Sequence, residues 1–259
     1  METLEAITLG VVQGLTEFLP VSSSGHLQIA KALLGVDLQH NVTFDVVLHA
    51  ATVLSTVVVM WRELWRIVCG VFSRRFNEQQ AYVLKIIVSM IPAGVVGVLF
   101  DKKIEAAFSS LTVVGTMLLL TAALLAFAHF ARPGKKSSIS YGNAFIIGVA
   151  QAAATMPGLS RSGSTIAAGL LLGNKKESVA QFSFIMVIPV ILGKMLLDVA
   201  SGEMAGMDAE AGAVAAAFAA AFVSGAAACK FMIEAVKRGK LIWFAIYCAA
   251  IGLAAIIAN

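Results

Sequence analysis

The side chains of this chain best suited to chemistry sit in two short Ser-Gly clusters, each embedded in apolar sequence. The first reads Ser22-Ser23-Ser24-Gly25-His26, with Gln13 and Glu17 just upstream. The second reads Ser160-Arg161-Ser162-Gly163-Ser164-Thr165. A Ser beside a His is the minimum for an activated nucleophile. On a helix His26 lies three and four residues after Ser23 and Ser22, within reach of both. Glu17 follows Gln13 by one turn on the same helical face. A carboxylate so placed can orient His26, bind a divalent cation or act as a base. Arg161 offers a planar fork that matches phosphate oxygens, and Ser160, Ser162, Ser164 and Thr165 add hydroxyl donors. Plainer readings stand beside these. Ser and Gly can simply cap and pack helices, His26 can be a hydrogen-bonded structural histidine, and Glu17 can pair with Arg161 without doing chemistry. Spacing alone leaves both sets open.

The clusters are copies of one another. Gln13 and Gln151, Ser22 and Ser160, and Gly25 and Gly163 are each 138 positions apart. The 259 residues therefore read as one integral membrane domain with an internal repeat, 1–130 and 142–259. The membrane follows from composition: the chain is 59% hydrophobic and 13% charged, with a mean hydropathy of +0.88. A soluble domain of this length could not hide so much apolar surface. Polar groups are costly in hydrocarbon, so those at the clusters mark function. The apolar runs are continuous rather than alternating, which argues against a β-barrel. The chain starts with Glu2 and Glu5 and runs straight into the first cluster, unlike a cleaved signal peptide. Cys69, Cys229 and Cys248 lack metal-ligand spacing and read as free thiols in the core. The net charge of +4 points to basic cytoplasmic loops and not to nucleic acid.

The elements that must position the clusters follow from run length. Six stretches, about 42–61, 81–100, 111–130, 180–199, 211–229 and 241–258, are each near the length of a bilayer-spanning helix. Segments 3–35 and 143–173 are apolar but broken, the first by Pro20 and Gly25, the second by Pro157, Gly158 and Gly163. Each half is too short to span, so both predict re-entrant helical hairpins. The fold class is all-α: six transmembrane helices plus two re-entrant hairpins. Thirteen of the nineteen basic residues fall in four segments read as loops. These are 62–80 (Arg62, Arg66, Arg74, Arg75), 131–141 (Arg132, Lys135, Lys136), 173–178 (Lys175, Lys176) and 230–240 (Lys230, Lys237, Arg238, Lys240). The remaining loops hold Lys31, Lys102 and Lys103, and loop 200–210 is acidic through Glu203, Asp208 and Glu210. The layout puts every basic loop on one side, the cytoplasmic one, with both termini outside. Three spans per half invert the second half against the first. One hairpin then dips from outside and the other from inside, their tips meeting near the midplane. Inverted repeats with broken helices also build transporters, so layout alone does not separate an enzyme from a carrier.

Other polar residues carry less. Asp45 and His49 share a helical face and could line the cavity or cap a helix end. Lys194 and Lys85 read as snorkelling cations. His40 and His129 lie near span ends.

At the clusters the chain resembles a known family. Gln13-Gly14-Leu15-Thr16-Glu17-Phe18-Leu19-Pro20-Val21-Ser22-Ser23-Ser24-Gly25-His26 is similar to the first motif of undecaprenyl-diphosphate phosphatases, the UppP/BacA family, and Pro157-Gly158-Leu159-Ser160-Arg161-Ser162-Gly163 to the second. The resemblance implies a multi-pass phosphatase of the bacterial inner membrane with an interdigitated inverted repeat. Its substrate would be a C55 polyprenyl diphosphate, cut to monophosphate and inorganic phosphate on the outer (periplasmic) face. That recycles the lipid carrier of cell-wall (peptidoglycan) synthesis and links the family to bacitracin resistance. It also implies a divalent cation, Mg²⁺ or Ca²⁺. The expected catalytic residues are Glu17, Ser23, His26 and Arg161, with Glu17 also the metal ligand. Gln13, Ser22, Ser24, Gly25, Ser160, Ser162, Gly163, Ser164 and Thr165 would bind substrate. Gln13 stands where some members have Glu, which shifts weight onto Glu17. Ser23 is expected as nucleophile, with His26 as general base or acid; direct attack by water, with Ser23 only a ligand, stays open. The rival class is a flippase or carrier for an anionic prenyl lipid or a small anion, which needs the anion cradle but not a nucleophile. The oligomeric state, a homodimer included, stays open.

Overall fold

The computed structural model describes residues 2–36, 42–107, 110–131, 134–200 and 210–257. His40, Arg132, Glu203 and Asp208 lie outside them, as do the side chains of Lys102 and Lys103. Eleven helices, and no strand, form among these residues: α1 (Thr3–Phe18), α2 (Ser23–Leu34), α3 (Val42–Val59), α4 (Trp61–Val71), α5 (Glu78–Ala107), α6 (Leu111–Phe130), α7 (Tyr141–Ala153), α8 (Arg161–Leu171), α9 (Lys176–Ala200), α10 (Ala211–Lys237) and α11 (Ile242–Ile257).

Four of them, α5, α6, α9 and α10, are long and apolar enough to cross a bilayer. The count becomes five if α3 and α4, bent 82° at Met60, make one span. α11 is apolar but has 16 residues, about 24 Å of helix against a hydrocarbon core of ~30 Å. The protein is therefore polytopic and all-helical. The two interrupted segments do break, between α1 and α2 at Pro20 and between α7 and α8 at Pro157 and Gly158, but Gly25 and Gly163, also expected as interruptions, lie in the first turns of α2 and α8. Several loop expectations fail: 62–80 is not all loop, because α4 runs through Val71; 230–240 is mostly helix, because α10 runs through Lys237; and Lys31, Lys102 and Lys103 lie within α2 and α5. The six positions Trp61 to Arg66 alternate aromatic, charged and aliphatic residues, which hides a helix from a reading based on charge. Of the cysteines, Cys229 and Cys248 are buried, but Cys69 on α4 is exposed.

The burial pattern is that of a membrane protein. Large apolar side chains stand outward on the long helices, among them Val98 (72%), Phe127 (68%) and Val223 (65%). The interior holds a core of Phe18, Leu118, Leu125, Phe182, Phe184, Met186 and Met232. It also holds buried polar groups: Gln13, Glu17, Ser55, Thr121, Gln151, Thr165 and Ser183. Small residues let the helices that carry the clusters approach their neighbours. A Cβ on Gly10 of α1 would run into the carbonyl of Ala217 on α10. On α7, a Cβ at Gly148 would run into the backbone of Ser89 on α5 in the same way.

Three of the basic segments are joined at one end of the bundle. Lys136 N–H donates to Gly173 O at 3.2 Å and Lys175 N–H to Lys136 O at 2.9 Å. His129 Nδ1 lies 3.0 Å from Gly239 O. Nearby in sequence, Lys85 of α5 lies over the Tyr141 ring, 5.6 Å from its centre.

Candidate active site

Both breaks close with the same local chemistry. Ser22 caps α2 by accepting from Gly25 N–H at 3.4 Å, and Ser160 caps α8 by accepting from Gly163 N–H at 3.1 Å. Each cap hydroxyl also sits 3.3 Å from the hydroxyl two residues on, Ser24 and Ser162. A Ser at the N-cap satisfies a helix donor that would otherwise be orphaned, and it leaves the positive end of the half-helix at the tip. Ser22 does this at φ 70°, as the only non-glycine residue with positive φ among the described residues. Such a backbone costs on the order of 1 kcal/mol or more and persists only where its surroundings hold it. Gly158, at φ 90°, turns the second tip; a Cβ there would also meet the backbone of Val114.

The tips touch. Ser162 Oγ donates to Leu19 O at 3.2 Å. A Cβ on Gly25 would lie 3.3 Å from Gly158 Cα, and one on Gly163 3.3 Å from Pro20 Cβ. Across this contact the Arg161 guanidinium pairs with Glu17 Oε1. The other oxygen, Oε2, accepts from Ser23 Oγ at 2.7 Å and from Gln13 Nε2 at 3.0 Å. Gln13, Glu17, Ser23 and Arg161 thus form one constellation. The Glu17–Arg161 pairing weighed from sequence is present, with a hydroxyl added to it.

His26 is arranged differently from its expected place beside Ser23. Its Nδ1 lies 2.9 Å from Ser22 O, and its Nε2 2.8 Å from the Tyr247 hydroxyl. A carbonyl only accepts, so Nδ1 carries the proton, and neutral Nε2 accepts from the phenol. The rings stack with centroids 5.5 Å apart.

The second tip is knitted into the protein. Thr121 Oγ1 accepts from Ser160 N–H at 3.0 Å and donates to Gly158 O at 3.2 Å. Thr165 Oγ1 lies 2.6 Å from Ser183 Oγ on α9 and 2.9 Å from Arg161 O. Three buried polar atoms at the tips have no partner among the described residues: Arg161 Nη1, Ser164 Oγ and Gln13 Oε1. Two of these are donors, close to two helix N-termini, a setting that suits an anion. For a cation the oxygen set is Glu17 and Gln13 Oε1. No group of three or more His, Cys, Asp or Glu side chains clusters among the described residues. That donor set fits a magnesium-like ion sharing its shell with phosphate and water, which needs only one or two protein ligands.

Sequence reasoning missed Tyr247, Thr121 and Ser183, all of which reach the tips from distant helices. It also gave Lys31 to a loop, whereas Lys31 is buried and both Asp45 carboxylate oxygens lie 2.8 Å from its ammonium. His49, on the same helix as Asp45, has Nε2 3.9 Å from Glu17 Oε2, so it lines the site. Long-range contacts alone mark Tyr247, Thr121 and Ser183, whereas His49 belongs to a helical face that the sequence already offers as cavity lining.

The comparisons with known proteins agree with one another. Residues 6–254 match the family described as Bacitracin resistance protein BacA. Among curated relatives, an undecaprenyl-diphosphatase of Parabacteroides distasonis is 59% identical over 99% of this chain and 98% of the relative. One of Bacteroides fragilis is 55% identical over 100% and 99%. One of Methanosphaera stadtmanae is 35% identical over 99% and 98%. With the family match covering nearly the whole chain, this protein belongs to the BacA family.

Proposed function

We infer that this protein is an undecaprenyl-diphosphatase, a membrane hydrolase that cleaves the phosphoanhydride of undecaprenyl diphosphate to give the monophosphate and inorganic phosphate. Full-length relatives of that name support the reading. The observation that carries the mechanism is the unit Ser23–Glu17–Arg161, in which one carboxylate holds a hydroxyl from its own tip and a guanidinium from the other.

In the proposed reaction the terminal phosphate sits between the two half-helix N-termini, with Arg161 turned onto its oxygens. Breaking a phosphoanhydride mainly requires positioning and stabilisation of spread negative charge, and these groups supply both. Glu17 takes the proton from Ser23 Oγ. The oxygen attacks the terminal phosphorus, the bond to the bridging oxygen breaks, and the lipid monophosphate leaves. Water then attacks the phosphoserine, releasing inorganic phosphate and returning the proton to Ser23. Glu17, bonded to Ser23, is the better-placed base for the first step. His26 Nε2, faced by Tyr247, serves the water in the second. Gln13, Ser22, Ser24, Gly25, Ser160, Ser162, Gly163, Ser164 and Thr165 shape and line the phosphate seat. A divalent cation, Mg²⁺ or Ca²⁺, would be held by Glu17 and Gln13 Oε1 and would neutralise charge on the diphosphate.

The architecture we propose is an interdigitated inverted repeat of halves 1–130 and 142–259, with six spans, two re-entrant hairpins and the site opening to the outer face. Three features support it. The first hairpin helix of each half packs on a long helix of the other, α1 on α10 and α7 on α5. α6 packs on α11, the last helix of one half on that of the other. The basic segments 131–141, 173–178 and 230–240 gather at one end, as a cytoplasmic face requires.

The test is inorganic phosphate release from a prenyl diphosphate in detergent, where no transport can take place. Arg161→Ala is expected to lose about 10²–10³-fold in kcat, the range for removing a donor that stabilises transition-state charge. Near wild-type release by that variant would overturn the mechanism.

A further inference from the structure

Nothing in the reaction uses α4 (Trp61–Val71). It leaves α3 at 82°, so with α3 as one of the six proposed spans, a reading on which this inference rests, α4 lies near the membrane plane. At 3.6 residues per turn Trp61, Trp65, Val68 and Phe72 fall on one stripe. All four are exposed, at 55%, 56%, 47% and 83%. The two indoles stack, with centroids 5.7 Å apart. Leu64, Ile67 and Val71 occupy another face and pack on the protein core. Arg62 and Arg66 flank the exposed stripe, and Arg74 and Arg75 follow in the turn, all four exposed. None has a carboxylate partner among the described residues.

This surface is built, not frayed. Asn77 Nδ2 donates to Gly70 O at 2.8 Å, and Gln80 Nε2 donates to Val71 O and Ser73 O at 2.9 Å each. The last carbonyls of α4 are thereby tied to the start of α5. A helix facing water has no use for an exposed Trp-Trp-Val-Phe stripe, and a helix in hydrocarbon has no place for four unpaired guanidinium groups. The headgroup layer accommodates both, because indoles sit at that depth and basic side chains reach phosphate there. We propose that α4 and the turn through Arg75 form a binding site for anionic phospholipid headgroups, with the stripe in the acyl boundary and the four arginines on headgroup phosphates. Zwitterionic lipids offer the phosphate without net charge, so the excess of unpaired positive charge selects for anionic ones.

The chain has three tryptophans, Trp61, Trp65 and Trp243, so Trp243→Phe leaves only the α4 pair as fluorophores. The full chain is placed in mixed phosphatidylcholine–phosphatidylglycerol bilayers with brominated acyl chains on one lipid or the other. Emission should be quenched about twofold or more strongly by brominated phosphatidylglycerol, and added salt should shrink the difference. Arg62→Gln with Arg66→Gln should remove most of the preference, and Arg62→Lys with Arg66→Lys should keep it. Phosphate release in detergent checks that each variant is folded. Equal quenching by the two lipids, or a preference untouched by the Gln pair, overturns the proposal. So does emission that shifts with protein concentration and resists both quenchers, which would mean that a second copy covers the stripe.

Discussion

The two tips share a cap and differ in everything that reacts. Ser22 and Ser160 accept from Gly25 and Gly163 in the same way. Yet at the position of Ser23 in the first copy the second has Arg161, at that of His26 it has Ser164, and at that of Glu17 it has Thr155. In the first tip Ser23, Ser24 and His26 are half-buried, and the backbone is strained at Ser22. In the second, Ser160, Ser162, Ser164 and Thr165 are at most 3% exposed, and the hydroxyls of Ser160, Ser162 and Thr165 are bonded into the protein. In the proposed mechanism the two capped half-helix N-termini hold the anion together, with the acid and nucleophile on one and the guanidinium on the other.

The sharpest way to break this comparison is to exchange what each tip lacks or has. Ser23→Ala should lower kcat for phosphate release at least ~10³-fold, the scale for losing a nucleophile. Ser162→Ala, at the position matching Ser24, should cost less than about tenfold, because Ser162 bonds only the Leu19 carbonyl and its neighbour. A similar loss in both would mean that the tips do not divide the work. Next in size, Glu17→Gln should cost about 10²–10⁴-fold in kcat, as expected for a general base. Full activity in that variant would move the base elsewhere.

A smaller effect separates the Gln pair. Gln13 is tied to Glu17, but both side-chain polar atoms of Gln151 are buried and unpartnered. Replacing an unsatisfied buried amide with an apolar group relieves a desolvation cost of about 1–3 kcal/mol. Gln151→Leu should therefore raise the melting temperature by roughly 2–12 °C with activity retained, whereas Gln13→Leu should lower activity. Smallest of all, Tyr247→Phe should reduce kcat about three- to tenfold by removing one neutral hydrogen bond to His26, about 0.5–1.5 kcal/mol. No change would confine the Tyr247 contact to packing.

What the sequence could reveal follows the range of each interaction. The caps, the breaks and the long apolar helices depend on neighbours within a few residues, and the repeat spacing exposed both tips. The pairing of Ser23 with Glu17 was less accessible, since a helical count from His26 suggested another partner. Tyr247 lies 221 residues from His26, and no local pattern links them. Lys31 looked like a loop cation because its partner, the half-exposed Asp45, is on another helix. α4 was hidden for the opposite reason: its arginines are dense enough to read as a loop, and only the 82° bend and the split burial of its faces show an amphipathic helix.

The most direct test of the central claim is acid-quenched turnover of a prenyl diphosphate labelled in its terminal phosphate, followed by mapping of the labelled peptide. Covalent phosphate on Ser23, formed about 10²–10³-fold more slowly when Arg161 is replaced by Ala, is the predicted result. Label on a residue of the second tip, or phosphate release by Ser23→Ala at the wild-type rate, would contradict it.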